Sequence, residues 1–192
     1  MSVDNLRLFC SNVRGLVCNW SSATSFNWDD YDIVAFNEIW EIKTFENLKV
    51  QNFEIKSVKT RQLARGGGTI IFGRSNITMK QLNTPFIEGC VETTGIKIGS
   101  VNFINIYRPP SGDKNMFVDT LAQYLDTLRG QKVIIGGDFN LNAIGGNIWL
   151  DTLCNLYGLD IKITGETRIE SHTCIDNYQQ ILLLHPRYYD HI

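Results

Sequence analysis

The stretch "VIIGGDFNLN" (residues 133–142) decides how this chain is read. Val133, Ile134 and Ile135 have the pattern of a buried strand. Two glycines follow, then an acid, an aromatic and an amide. Gly136 and Gly137 let the backbone turn and keep side chains out of a crowded cleft. If the extended conformation persists, Asp138 and Asn140 point the same way and Phe139 points into packing. "GDFN" also fits an ordinary Gly-Asp turn. The other strand ends must decide between turn and site.

Upstream, Leu6, Leu8 and Cys10 alternate as a first strand, with Asn12 just past its end. "DIVAFN" (32–37) reads as a buried strand leading into Glu38, and Asp32 reads as structural, capping the turn before it. "GGGTIIFGR" (66–74) supplies glycines and a short strand over 69–72. "GIKIGSVNFINIYRPP" (95–110) reads as a hairpin around Gly99-Ser100, its second arm ending at Tyr107. Phe117, Leu121, Leu125 and Leu128 recur at helical spacing, which predicts a helix over 115–129. Asp113 or Asn115 would be its cap and Gly130 its C′ residue. "WLDTLCNLYGL" (149–159) predicts another helix and "SHTCID" (171–176) a late strand. Strands outnumber helices, with amphipathic helices between them. That pattern gives a mixed domain with sheets at its centre and helices outside.

The chain has 192 residues, the size of one domain spanning 1–192, with ordinary apolar (43%) and charged (20%) content. No apolar run approaches the length of a transmembrane helix, and the N-terminus lacks a signal-peptide pattern. Five cysteines without C-x-x-C spacing argue for a reducing compartment, against a zinc site and against a disulfide framework. An intracellular protein with no membrane partner is the expectation. Net charge is −2, but 55–87 holds six bases (Lys56, Lys59, Arg61, Arg65, Arg74, Lys80) and no acid, leaving about −8 elsewhere. This suits either one phosphate-facing side or a solvated face.

Asn12, Glu38, Tyr107 and Asp138 with Asn140 stand where strands run out, the positions from which a rigid sheet aims side chains into a shared cleft. Taken singly, each has an ordinary reading: a turn residue, a surface acid, a packing aromatic, a turn. Together, two carboxylates and two amides make an oxygen-rich site suited to Mg²⁺ or Mn²⁺. A hard cation with an activated water is the usual equipment for phosphate-ester hydrolysis.

In order along the chain stand "SNVRGL" (11–16), "DIVAFNEIW" (32–40), "RGGGTIIF" (65–72), "IYRPPSG" (106–112), "GGDFN" (136–140), "TR" (167–168) with "TCIDN" (173–177), and a terminal "YDHI" (189–192). In these the chain resembles the endonuclease/exonuclease/phosphatase superfamily, and within it the apurinic-type endonuclease domain of non-LTR retrotransposons. The resemblance implies an α+β fold, a four-layer α/β/β/α sandwich of DNase type. It implies one or two Mg²⁺ (or Mn²⁺) ions held by Glu38 and Asp190, with Asn12 beside Glu38. Asp138 would activate the attacking water, and Asn140 would hold it and a phosphate oxygen. Tyr107 would bond the scissile phosphate. Asp176 would orient His191, which would stabilise the phosphate's developing charge.

The implied activity nicks one strand of double-stranded DNA and leaves a 3′-hydroxyl for target-primed reverse transcription. The partner would be a reverse transcriptase domain in a parent polyprotein, and the site of action the nucleus. Arg14, Arg61, Arg65, Arg108 and Arg168 would contact DNA. The alternatives are a sister phosphodiesterase or phosphatase of the same fold, and a non-catalytic nucleic-acid-binding relic.

Two stretches depart from the family pattern. Arg14 stands where repair enzymes of the superfamily carry a second acid. The family's terminal Ser-Asp-His is Tyr189-Asp190-His191 here, one residue from Ile192 and 14 residues after Asp176. The segment 178–192 reads equally as a shortened version of the family's end, lacking the final strand, or as unrelated sequence.

Overall fold

The computed structural model describes residues 6–141 and 146–161 in full, and 180–184 as backbone. Among them, two sheets stack face to face. The first has the order β1 (Leu8–Asn12), β2 (Ile33–Asn37), β4 (Thr69–Arg74), β3 (Phe53–Lys59). The second runs β10 (Leu159–Ile161), β11 (Gln180–Leu184), β9 (Lys132–Asp138), β8 (Val101–Tyr107), β7 (Val91–Ile98), β5 (Lys80–Gln81), and β6 (Phe86–Ile87) also pairs with β7. β1–β2 and β8–β9 are parallel; the other pairs are antiparallel.

Three apolar clusters fill the three gaps of a four-layer sandwich. Outside the first sheet, Leu16, Ala23 of the short helix α1 (Trp20–Ala23) and Trp28 cover Val34, Phe36, Ile70 and Phe72. Outside the second, α2 (Lys114–Asp126) and α3 (Ile148–Tyr157) bury Phe117, Leu121, Leu125, Leu150 and Leu153 against Val91, Ile104, Ile106, Val133 and Ile135. Between the sheets lie Cys10, Ile33, Ala35, Ile71, Ile96 and Phe103. Full burial of each large aliphatic or aromatic side chain is worth roughly 1.5–3 kcal/mol. This is the expected α+β sandwich of DNase type. No helix among the described residues is long and apolar enough to cross a membrane.

The interlayer is not uniform. Two to four residues along each strand from its apolar members, the same faces carry Asn12, Asn37, Thr69, Thr94, Asn105 and Asp138. Asn105 bridges the sheets there, its amide donating to the Phe36 carbonyl at 3.1 Å. The sandwich is apolar in its middle and polar at the end where β1, β2, β8 and β9 run out.

Local signals account for most boundaries. Asp113 caps α2 by accepting from the Met116 N–H at 2.7 Å. The helix stops at Asp126 with Thr127 as C-cap, so Gly130 (φ 74°) lies beyond the cap rather than at C′. Asn147 caps α3, and Gly158 ends it at φ 63°. The hairpin forms around Gly99-Ser100, but its first arm begins at Val91. Asp32 is structural in another way than turn capping. Buried, it accepts from the Arg7 backbone at 3.0 Å and pairs with the Arg7 and Arg74 guanidiniums. The strand expected over 171–176 lies outside the described residues.

Candidate active site

The end of β9 does not turn at its glycines. The strand runs through Gly136 and Gly137 to Asp138. A Cβ on Gly137 (φ 134°) would lie 2.0 Å from the Ile106 carbonyl oxygen, so the close approach of β8 requires glycine there. The chain turns after Asp138 instead, with Asn140 at φ 48°. The Asn140 N–H donates to Asp138 Oδ1 at 3.0 Å, and its amide donates to the Arg108 carbonyl at 2.8 Å. The extended continuation that would aim Asp138 and Asn140 together is therefore not adopted. Phe139 is fully buried against Phe117 and does point into packing.

Four of the expected residues converge from four strand ends. Asn12 closes β1, Glu38 follows β2, Tyr107 closes β8 and Asp138 closes β9. The Asn12 amide donates to Glu38 Oε1 at 2.8 Å and to Asp138 Oδ2 at 2.9 Å. The Tyr107 hydroxyl donates to the same Glu38 Oε1 at 2.9 Å. Asn12 Oδ1 accepts from the Arg14 N–H at 3.1 Å, which fixes which way the amide faces. Burial, then the Glu38 charge and hydrogen bond, push the Tyr107 phenol well above its ordinary range, so it stays a donor at neutral pH. Backbones around the cleft are held left-handed at non-glycine residues: Arg14 (φ 46°), Glu38 (φ 54°), Trp40 (φ 61°) and Asn140. Conformations of this kind cluster where surrounding structure imposes a function.

Among the described residues, no three of His, Cys, Asp and Glu gather as a metal-binding group. The donor chemistry nonetheless fits a hard cation. Two carboxylates lie within reach of one amide, and every hydrogen-bond donor to Glu38 in the described residues is neutral. One or two carboxylates with water and phosphate oxygens suffice for Mg²⁺.

The arginines divide. Arg14 and Arg65 are exposed. Arg108, expected on DNA, is 1% exposed. Its guanidinium donates to the carbonyls of Phe139 (2.8 Å), Gly112 (2.6 Å) and Asn140 (2.6 Å), so it holds the β9 end loop rather than a surface. Arg61 pairs with Glu92, a fully buried acid that the residue reading missed. The signal was present: in "VETTGIKI" Glu92 occupies an inward position of the alternation. Among the described residues, four of the six bases of 55–87 have partners. Lys56 pairs with Glu54, Lys59 bonds Thr84, Arg61 pairs with Glu92, and Arg74 pairs with Asp29 and Asp32. These contacts brace the fold, while Arg65 stays exposed and the Arg61 side chain is 12% exposed. Arg168, Asp176, Asp190 and His191 lie outside the described residues.

No protein-family model matches the sequence, and no curated protein matches it significantly. Solved structures do. A 3′-5′ exonuclease from Neisseria meningitidis superposes with a TM-score of 0.69 at 15% identity, covering 93% of this chain and 86% of that one. An AP endonuclease from Archaeoglobus fulgidus gives 0.59 at 15% identity, with 93% and 86% covered. The endonuclease domain of TRAS1, a telomere-specific non-LTR retrotransposon, gives 0.56 at 12% identity, with 95% and 99% covered. The fold of this chain is the DNase-like sandwich that these endonuclease/exonuclease/phosphatase proteins share.

Proposed function

We propose that this protein is a divalent-cation-dependent endonuclease that nicks one strand of duplex DNA and leaves a 3′-hydroxyl. The observation that carries the reading is the convergence of Asn12, Glu38, Tyr107 and Asp138 at the polar end of the sandwich. Glu38, with Asp190 from outside the described residues, would hold the cation. When bound, it would offset the charge that builds on the phosphate. Asp138, its oxygens oriented by Asn12 and the Asn140 N–H, accepts the proton of the attacking water. Water oxygen bonds to phosphorus and the P–O3′ bond breaks. The 3′-oxygen takes up a proton, giving a 3′-hydroxyl and a 5′-phosphate. The protonated Tyr107 hydroxyl donates to a phosphate oxygen, Asn140 acts through the Asp138 carboxylate that its N–H holds, and His191, with Asp176, would face the developing charge. In this reading, which rests on the motif resemblance, the 3′-hydroxyl would serve as a primer beside a reverse transcriptase.

Supercoiled plasmid tests this. Wild type should convert it to open circle with Mg²⁺ and not in EDTA. Asp138→Ala should lose activity by at least about a hundredfold, and His191→Ala should also be impaired. Plasmid left supercoiled by wild type in both Mg²⁺ and Mn²⁺ would rule out the reading.

A further inference from the structure

Arg61 and Glu92 are not explained by the fold alone. Glu92 is 0% exposed on the inner face of β7, where charge is costly unless paired. It lies opposite Tyr107 in the β7–β8 register. It accepts from Arg61 Nε and Nη2, each at 2.6 Å, from the Gly68 N–H at 2.6 Å and from the Gly89 N–H at 2.9 Å. A Cβ on Gly67 (φ 62°) would lie 2.2 Å from Arg61 Nε and 2.4 Å from Glu92 Oε2, so the pair fits only over glycine. Gly67 and Gly68 in turn accept from the Trp40 and Ile39 N–H groups, tying this corner to the chain just after Glu38.

The guanidinium is not fully enclosed. Its side chain is 12% exposed and borders an open cleft of about 540 Å³ lined also by Glu41, Thr60, Arg65 and Gly66. Arg61 has five N–H donors. Two bond Glu92, and one reaches the Arg65 carbonyl at 3.4 Å. Among the described residues, one N–H on each terminal nitrogen is left. Arg61 is also a positive influence felt at the Tyr107 phenol. Arg108, by contrast, is buried on carbonyls, and Arg14 stands exposed on the loop after β1.

We propose that Arg61 is the cationic side chain that reads the charge of the scissile phosphate beside Tyr107, and that Glu92 is its positioning residue. This rests on the nuclease reading and deepens it. A site that already holds two carboxylates must attract an anionic diester, and a planar fork braced by a buried acid presents its donors without reorganising. Arg65, exposed on the same loop, belongs to the flanking phosphates and sets affinity and register.

The test uses a duplex whose nicked linkage has been mapped, with that linkage either a phosphodiester or a neutral methylphosphonate. Binding is measured in EDTA, so the readout is independent of turnover. Arg61→Gln should shift the ratio of the two Kd values toward the methylphosphonate by about tenfold or more. Glu92→Gln should shift it in the same direction, and Arg61→Lys by less. Arg65→Gln should weaken both duplexes and leave the ratio unchanged. A loss of structure alone would weaken both duplexes together. An unchanged ratio in Arg61→Gln and Arg61→Lys would overturn this inference while leaving the nuclease reading intact. A wild type that neither binds nor nicks duplex DNA would overturn both.

Discussion

Asn12 shows how one amide organises two acids. Both hydrogens of its nitrogen are committed, one to Glu38 and one to Asp138, and its oxygen is held by the Arg14 N–H. The amide thus draws together two like charges that would otherwise repel. Asn12→Asp has the same shape but replaces donors with a third carboxylate. It should lower stability by about 1–3 kcal/mol in urea unfolding without divalent cation. Added Mg²⁺ should then recover more stability than it gives wild type, because a third carboxylate strengthens a hard-cation site and binding to the native state stabilises it. An equal response to Mg²⁺ in the two proteins would show that the acids are not organised around a cation. The identity of these side chains was legible in the sequence, because each stands where an apolar run ends. Their backbone geometry was legible only in part. For Asn140 a local signal was present, since asparagine tolerates the left-handed region and its N–H closes a turn on Asp138 Oδ1; for Glu38 the residue type gives none.

At the level of elements, the β9 end is held by the turn after β8. Arg108 donates across to Phe139 and Asn140, Asn140 donates back to the Arg108 carbonyl, and the Arg108 N–H bonds the Asp138 carbonyl at 2.9 Å. The turns that follow Tyr107 and Asp138 are therefore tied to each other. Arg108→Lys keeps the charge but cannot fork to three carbonyls. It should destabilise the protein by on the order of 2–3 kcal/mol, read by urea unfolding. It should also lower plasmid nicking, although no DNA contact is lost. An unaltered urea midpoint would mean that packing, not this fork, fixes the loops. The sequence could not distinguish this arginine from a surface one. "YRPPSG" places it in a turn, and turns are usually exposed. Gly112 of the same turn caps one side of Arg108, but what buries it is the β9 end loop, a tertiary contact. Alternation within strands, by contrast, was legible. It gave the hairpin of β7 and β8 and, read three residues further back, would have placed Glu92 inside.

Across the whole molecule, burial raises several acidic groups above their ordinary values, and this fixes the sign of the alkaline response. The Cys10 thiol, fully enclosed between the sheets, is pushed up to about 12. Burial also raises Cys90 and Cys154, and it raises the phenols of Tyr107 in the site, Tyr124 on α2 and Tyr157 on α3. For each group the folded value exceeds the unfolded one. Its contribution is therefore complete below the unfolded pKa, about 8.5 for thiols and 10 for phenols, and is lost as pH rises toward the folded value. Lys59 opposes this. Burial lowers its pKa, so between its folded and unfolded values stability rises with pH. One amine set against three thiols and three phenols does not reverse the sum. From these groups the urea midpoint should be level from pH 7 to about 8, then fall in two stages, the thiols first and the phenols above about 10. Cys10→Ala will lower stability at every pH by leaving a cavity between the sheets, so the slope rather than the midpoint carries the information. That slope should be flatter than the wild-type slope from about pH 8.5 up to the folded value of about 12. A Cys10→Ala curve parallel to wild type throughout would show that the thiol titrates freely in the folded state, and so that the apolar middle of the sandwich admits water.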